Sequence, residues 1–224
     1  YYNNRIKVFN SSGAYLRSFG GYGNGCTQWQ YARQFAIYDD KIYIADTYGH
    51  RIKVLNLTGG CIWNNGARFN YPHSIAVASS YVYVGHNNSY ISHYTTNGVH
   101  QTGYYNAGSN LSYSWGMSLN SAGNKLVIAD YNRNRLVEFT VSGQSLSYSQ
   151  ATSTSYSSSN GYFRRPTDGA YDSSGNIYGL DLYNHRMQKF NSSLSYQAKI
   201  GSYSTSSGFR YPYGIHIDSS DNIY

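Results

Sequence analysis

Five short segments bring together side chains that could do chemistry: Tyr31-Ala-Arg33-Gln34, Tyr71-Pro-His73-Ser74, Tyr113-Ser-Trp115-Gly116, Arg165-Pro-Thr167-Asp168 and Tyr211-Pro-Tyr213-Gly214. Superposed on one another, they place Arg33, His73, Trp115, Thr167 and Tyr213 at a single equivalent site, with Gln34, Ser74 and Asp168 beside it. Together these residues offer charged donors, an imidazole, hydroxyls and aromatic faces, which suits recognition by hydrogen bonding and stacking. Covalent chemistry is not indicated. No GxSxG elbow, Walker loop or HExxH pair occurs, and the serine-rich tract Thr152–Asn160 has the composition of a loop rather than of a nucleophile site. The equivalents of Pro72-His73 supply no further imidazoles, so a three-ligand zinc set is not expected there, and neither a metal nor a cofactor is implied.

A second set of reactive-looking groups recurs with a fixed spacing. Asp46 stands five residues before Arg51, Asp130 before Arg135 and Asp181 before Arg186. A carboxylate placed so across a tight turn can make a charge-assisted hydrogen bond to the neighbouring strand. A catalytic group would not be needed in every copy, so these pairs are assigned to the scaffold.

The scaffold is an internal repeat. Arg5–Asn10, Arg51–Asn56, Arg135–Thr140 and Arg186–Asn191 superpose as one strand, with a degenerate copy at Tyr90–Tyr94. Upstream lie Ile42–Asp46, Val82–His86, Leu126–Asp130 and Ile177–Asp181, with Asn222–Tyr224 as a fifth copy. A third strand precedes each of these, and a weaker fourth follows the arginine strand, as in Ala14–Phe19 and Ser195–Ile200. Alternating β-branched and aromatic residues, interrupted by turn residues such as Asp172-Ser-Ser-Gly175, predict an all-β chain with no useful helix. Four-stranded units cannot cover both faces alone, whereas stacking them around an axis does, which predicts a β-propeller with the first strand of each unit innermost.

Leu182-Tyr-Asn-His-Arg-Met-Gln-Lys-Phe190, preceded by Gly175-Asn-Ile-Tyr178, resembles the NHL repeat, and the resemblance runs through the whole chain. It is strong around Arg5, Arg51, Arg135 and Arg186 and weak at His86–Tyr94. It implies an NHL-type propeller over residues 1–224. Five repeats are visible, and a sixth would follow if the chain is part of a longer one. The closing blade is expected to take its outer strands from the N-terminus and its inner strands from the C-terminus. The five aligned residues would then ring one mouth of the channel. Two relatives in function are also implied by the resemblance. Peptidyl-hydroxyglycine lyases hold zinc through Pro-His pairs, of which only Pro72-His73 has a counterpart here. RNA-binding NHL domains use a basic face with aromatic pockets, to which Arg33, Arg164, Arg165 and Arg210 with nearby tyrosines would correspond.

Composition places the chain outside the cell. Its 224 residues carry a formal charge of +7 because acids are few, with a single glutamate, Glu138. The basic residues are dispersed along the repeats rather than gathered in a block, which argues against nucleic acid as the partner. Tyr, Ser, Asn and Thr supply the polarity instead, with 28 tyrosines. No apolar run approaches the roughly 20 residues of a membrane-spanning helix. Cys26 and Cys61 are the two cysteines, both between the fourth strand of one repeat and the first of the next, and a disulfide between them is expected. Sequons occur at Asn10, Asn56, Asn87, Asn110 and Asn191, of which Asn10, Asn56 and Asn191 share one turn position. The expectation is a secreted or surface-displayed module that contacts protein or glycan, with attachment to a larger surface or filament assembly as an associated possibility. Propeller-enzyme and RNA-binding readings are the alternatives.

Overall fold

A computed structural model describes residues 3–65, 70–98, 100–204 and 208–224, apart from the side chains of residues 100–104. The chain opens with β1 (Arg5–Phe9) and β2 (Tyr15–Gly20), paired antiparallel. Four antiparallel four-stranded sheets follow, each in simple up-and-down order. Blade I holds β3 (Phe35–Tyr38), β4 (Lys41–Asp46), β5 (Arg51–Asn56) and β6 (Cys61–Asn64). Blade II holds β7 (Pro72–Ala78), β8 (Tyr81–His86), β9 (Tyr90–Thr95) and β10 (His100–Asn106). Blade III holds β11 (Ser114–Leu119), β12 (Lys125–Asp130), β13 (Arg135–Ser142) and β14 (Ser145–Ala151). Blade IV holds β15 (Pro166–Tyr171), β16 (Ile177–Asp181), β17 (Arg186–Phe190) and β18 (Tyr196–Ile200). The only helical turns among the described residues are three short 3-10 segments. The protein is an all-β propeller of four-stranded blades.

The first strands β3, β7, β11 and β15 pack side by side and form the inner wall. Second strands are buried on both faces, which is why Ile42-Tyr-Ile-Ala45 and Leu126-Val-Ile-Ala129 read as continuous apolar runs instead of alternating ones. Their side chains fill the spaces between blades. Ile52 and Val54 meet Ile75, Val82 and Tyr94 between blades I and II, while Leu136 meets Phe163 and Ile177 between blades III and IV.

The N-terminal half-blade differs. Ile6 packs on Trp29 and Ile44 of the blade I side, yet Ile6 and Val8 remain only half-buried, unlike the fully covered Ile52, Val54 and Leu136. The reason lies in the expected partner strands. Gly214–Tyr224 forms its own small hairpin through an Ile217–Ile223 bridge and packs Ile215 and Ile217 on Leu180 and Met187 of blade IV. Among the described residues no backbone pairing joins Asn222–Tyr224 to β1. A cleft of about 240 Å³ consequently opens between β1 and β3, lined by Arg5, Lys7, Trp29, Arg33 and Phe35.

Candidate functional site

The repeated Asp-Arg pairs lie in register across the second and third strands of their blades. Arg51 Nε donates to Asp46 Oδ2 at 2.7 Å, and Arg186 Nε to Asp181 Oδ2 at 2.8 Å, while Arg135 and Asp130 stand 3.4 Å apart. The other carboxylate oxygen accepts backbone N–H groups of the loop entering the inner strand: Gln30 on Asp46, Ser112 and Tyr113 on Asp130, and Arg164 on Asp181. Each aspartate therefore anchors the loop from which the mouth residues project. In blade II, His86 takes this place, with Nε2 2.5 Å from Ser92 Oγ, and burial pushes its pKa down to about 4.

In four of the five mouth segments the first residue has a left-handed backbone: Tyr31 (φ 53°), Tyr71 (φ 49°), Arg165 (φ 59°) and Tyr211 (φ 52°). This conformation costs a residue with a Cβ roughly 1–2 kcal/mol. It is held by a hydrogen bond that sequence reading missed. The N–H of each donates to the side chain of a residue in the preceding blade: Asn4 Oδ1, His50 Nδ1, Asn134 Oδ1 and His185 Nδ1, respectively. His50 and His185 thus latch one blade to the next through Nδ1, which accepts the backbone N–H. The sequence signal was available, since all four acceptors stand directly before the arginine strand.

Below the mouth, side chains bridge the inner strands. Gln34, just before β3, reaches to two other inner strands, accepting from the N–H groups of Ile75 (2.9 Å) and Met117 (3.2 Å) and donating to Met117 O. Ser74 and Ser114 hydroxyls meet at 2.5 Å, and Asp168 accepts from Gly169 N–H and from Ile215 N–H of the C-terminal hairpin. Burial raises the Asp168 pKa to about 7. Two glycines make this packing possible, because a Cβ on Gly85 would lie 2.3 Å from both serine hydroxyls and one on Gly116 would lie 2.5 Å from Asp168.

At the rim, Arg33, His73 and Trp115 come together. The Arg33 guanidinium lies 4.1 Å over the Trp115 ring, and His73 meets Trp115 edge-on with centroids 6.0 Å apart. Trp115 also stacks on Tyr131, which in turn carries Arg165 at 4.8 Å. Tyr131 and Arg165 were not among the five aligned positions, because Tyr131 follows the second strand and only the fold brings it to the mouth. His73 is buried against the Tyr113 hydroxyl, 2.9 Å from Nδ1, and burial, followed by the Arg33 charge, lowers its pKa to about 3. It is a neutral hydrogen-bonding group. Thr167 is buried too and donates to Pro212 O at 2.8 Å, which ties it to the segment leading into the C-terminal hairpin. Tyr213 is 62% exposed. Burial and a hydrogen bond with Tyr183 push the Tyr131 hydroxyl up to about 12.

Cys26 and Cys61 are bonded, with Cα atoms 5.7 Å apart, tying the loop after β2 to the outer strand of blade I. Among the sequon asparagines, Asn10, Asn56 and Asn87 are exposed, and Asn110 and Asn191 are partly covered. Asn10, Asn56 and Asn191 use Oδ1 to accept N–H groups two and four residues on, so their shared position closes a turn. Among the described residues, no three His, Cys, Asp or Glu side chains gather in a group able to hold a metal ion, and no helix is long and apolar enough to cross a membrane. Set against known protein families and curated proteins, the chain matches neither a family model nor a relative.

Proposed function

We propose that this propeller is an NHL-type recognition or structural module, displayed outside the cell, that binds protein or glycan at the mouth formed by Arg33, Trp115, Tyr131, Arg165 and Tyr213. One observation carries the reading. Whereas the Asp-Arg pairs recur in three blades, Arg33, Trp115, Tyr131 and Arg165 come from different blades and positions and meet in one cluster. Asymmetry of that kind gives a ligand one orientation, which a ring of identical aspartates could not do. His73 and Thr167 support the cluster from beneath. The disulfide suits an oxidising compartment. Sequon side chains in exposed turns agree with that setting.

A glycan and peptide array probed with the wild type and with Tyr213→Ala tests the proposal. Binding by the wild type and its loss in the variant, at an unchanged melting temperature, supports the mouth as the site. Equal binding by both proteins would move the site elsewhere.

A further inference from the structure

The N-terminal half-blade keeps one edge of its sheet open. β1 pairs with β2 in the register of a third and a fourth strand, down to the irregularity before Phe9 that recurs before Leu55 and Phe190. β2 therefore stands where β6 and β18 stand in their blades. On its other side β5 meets β4 and β17 meets β16, with aspartate opposite arginine, whereas β1 pairs with no further strand among the described residues. An open strand edge is a place where an extended segment can add itself to a sheet.

Two polar groups at this edge are of the kind that an aspartate joins elsewhere. In blades I, III and IV the aspartate ending the second strand accepts from the arginine that opens the third. It also accepts the N–H of Gln30, Ser112 or Arg164 in the loop before the first strand. The counterparts here are Arg5 and the N–H of Arg210, which follows Phe209 as Gln30 follows Trp29 and Arg164 follows Phe163. Neither the Arg5 guanidinium nor the Arg210 N–H has a hydrogen-bond partner among the described residues. In blade I a second cation, Lys53, stands 3.7 Å from Asp46. Its counterpart Lys7 makes no ion pair with a described residue and, two positions from Arg5, shares its face of the strand. Both cations line the cleft beside β1 together with Ile6 and the half-exposed Phe35. Acids of the C-terminal hairpin are engaged: Asp218 accepts from Asn222 and Tyr224, and Asp221 accepts from Ser173.

Going beyond the recognition reading, we propose that this edge takes a β-strand from a partner protein, an extended segment of four apolar residues followed by an aspartate, laid antiparallel to β1. Ile42-Tyr-Ile-Ala-Asp46 and Leu126-Val-Ile-Ala-Asp130 are the templates for that chemistry. The apolar run covers Ile6 and Phe35, and the aspartate meets Arg5, Lys7 and the Arg210 N–H.

Fluorescence anisotropy of the whole chain with a labelled peptide copying Lys125–Asn132 tests this, against the same peptide with asparagine in place of its aspartate. We expect the aspartate peptide to bind, the asparagine peptide to bind at least about tenfold more weakly, and Arg5→Gln to bind the two alike. Bound peptide should also slow amide exchange across Ile6–Phe9. The comparison between peptides leaves the protein untouched, so misfolding of a variant cannot mimic it. Absence of binding, equal affinity of the wild type for both peptides, or a preference that survives in Arg5→Gln would each overturn the inference. Full protection of the β1 amides without any peptide would overturn it too, because the chain's own C-terminal segment would then close the edge.

Discussion

Trp115 and Tyr131 stack with ring centroids 4.3 Å apart and planes inclined by 21°, although 16 positions separate them along the sequence. Trp115 stands near the start of the inner strand of blade III and Tyr131 follows its second strand, so the antiparallel pairing of β11 with β12 delivers both to the mouth. Trp115→Ala should therefore destabilise the fold, toward the lower end of the roughly 3–5 kcal/mol typical of aromatic truncation, since the ring is only partly buried. Tyr213→Ala, at an exposed position, should stay within about 0.5 kcal/mol of wild type. Urea denaturation of the two variants checks the contrast, and equal losses would show that the stack does not order the mouth.

Removing one partner of a buried ion pair leaves the other without compensation. Asp181→Ala strands Arg186 and also removes the acceptor of the Arg164 N–H, and a loss of roughly 3–5 kcal/mol is expected. The double change Asp181→Leu with Arg186→Met should cost markedly less than the single one. A double variant as unstable as Asp181→Ala would mean that the backbone contact, not the ion pair, dominates.

The Cys26–Cys61 bond closes a loop with a sequence separation of 35 residues. Chain-entropy arguments give such a link roughly 3–4 kcal/mol of stability. Thermal unfolding with and without a reductant should show a large downward shift, and Cys26→Ser with Cys61→Ser should reproduce it without reductant. An unshifted transition would place the bond's contribution elsewhere than in stability.

Acid should weaken the fold through its buried imidazoles. The folded pKa of His86 is lowered to about 4 and that of His73 to about 3, whereas an unfolded histidine titrates near 6.5. Between those values the unfolded chain binds the extra protons, so stability falls as pH drops from about 6.5 and levels off once the folded pKa is passed. Asp168 acts in the opposite sense. Its folded pKa is raised to about 7, so its contribution is fully present at acid pH, declines as pH rises from the unfolded value near 4 toward 7, and then stays level. Melting temperatures between pH 4 and 8 should rise less steeply for His86→Gln than for wild type, and more steeply for Asp168→Asn. Parallel curves for all three proteins would contradict the assignment.

The repeat was legible in sequence because backbone needs recur: Ile42–Asp46 and Leu126–Asp130 show the same apolar run and the same terminal acid, and both became buried second strands. Positions Arg33, His73 and Trp115 could be aligned to one mouth for the same reason. Two things could not be read. Which side chains would turn inward depends on contacts between blades, so the burial of Thr167 against Pro212 O and of His73 against the Tyr113 hydroxyl had no signal in the sequence. Tyr131 belongs to a turn, where no periodicity signals a partner in another strand, whereas the latch residues His50 and His185 share the position before the arginine strand and carried a signal that only the contact between blades explains.

Hydrogen–deuterium exchange of the protein with and without an array-selected ligand tests most directly whether the mouth is the recognition surface. Slowed exchange is predicted at Tyr31–Arg33, Tyr113–Trp115, Tyr131–Arg133 and Tyr211–Tyr213, with the outer strands β6, β14 and β18 unchanged. Protection confined to those outer strands, with the mouth segments exchanging at their unliganded rates, would contradict the account.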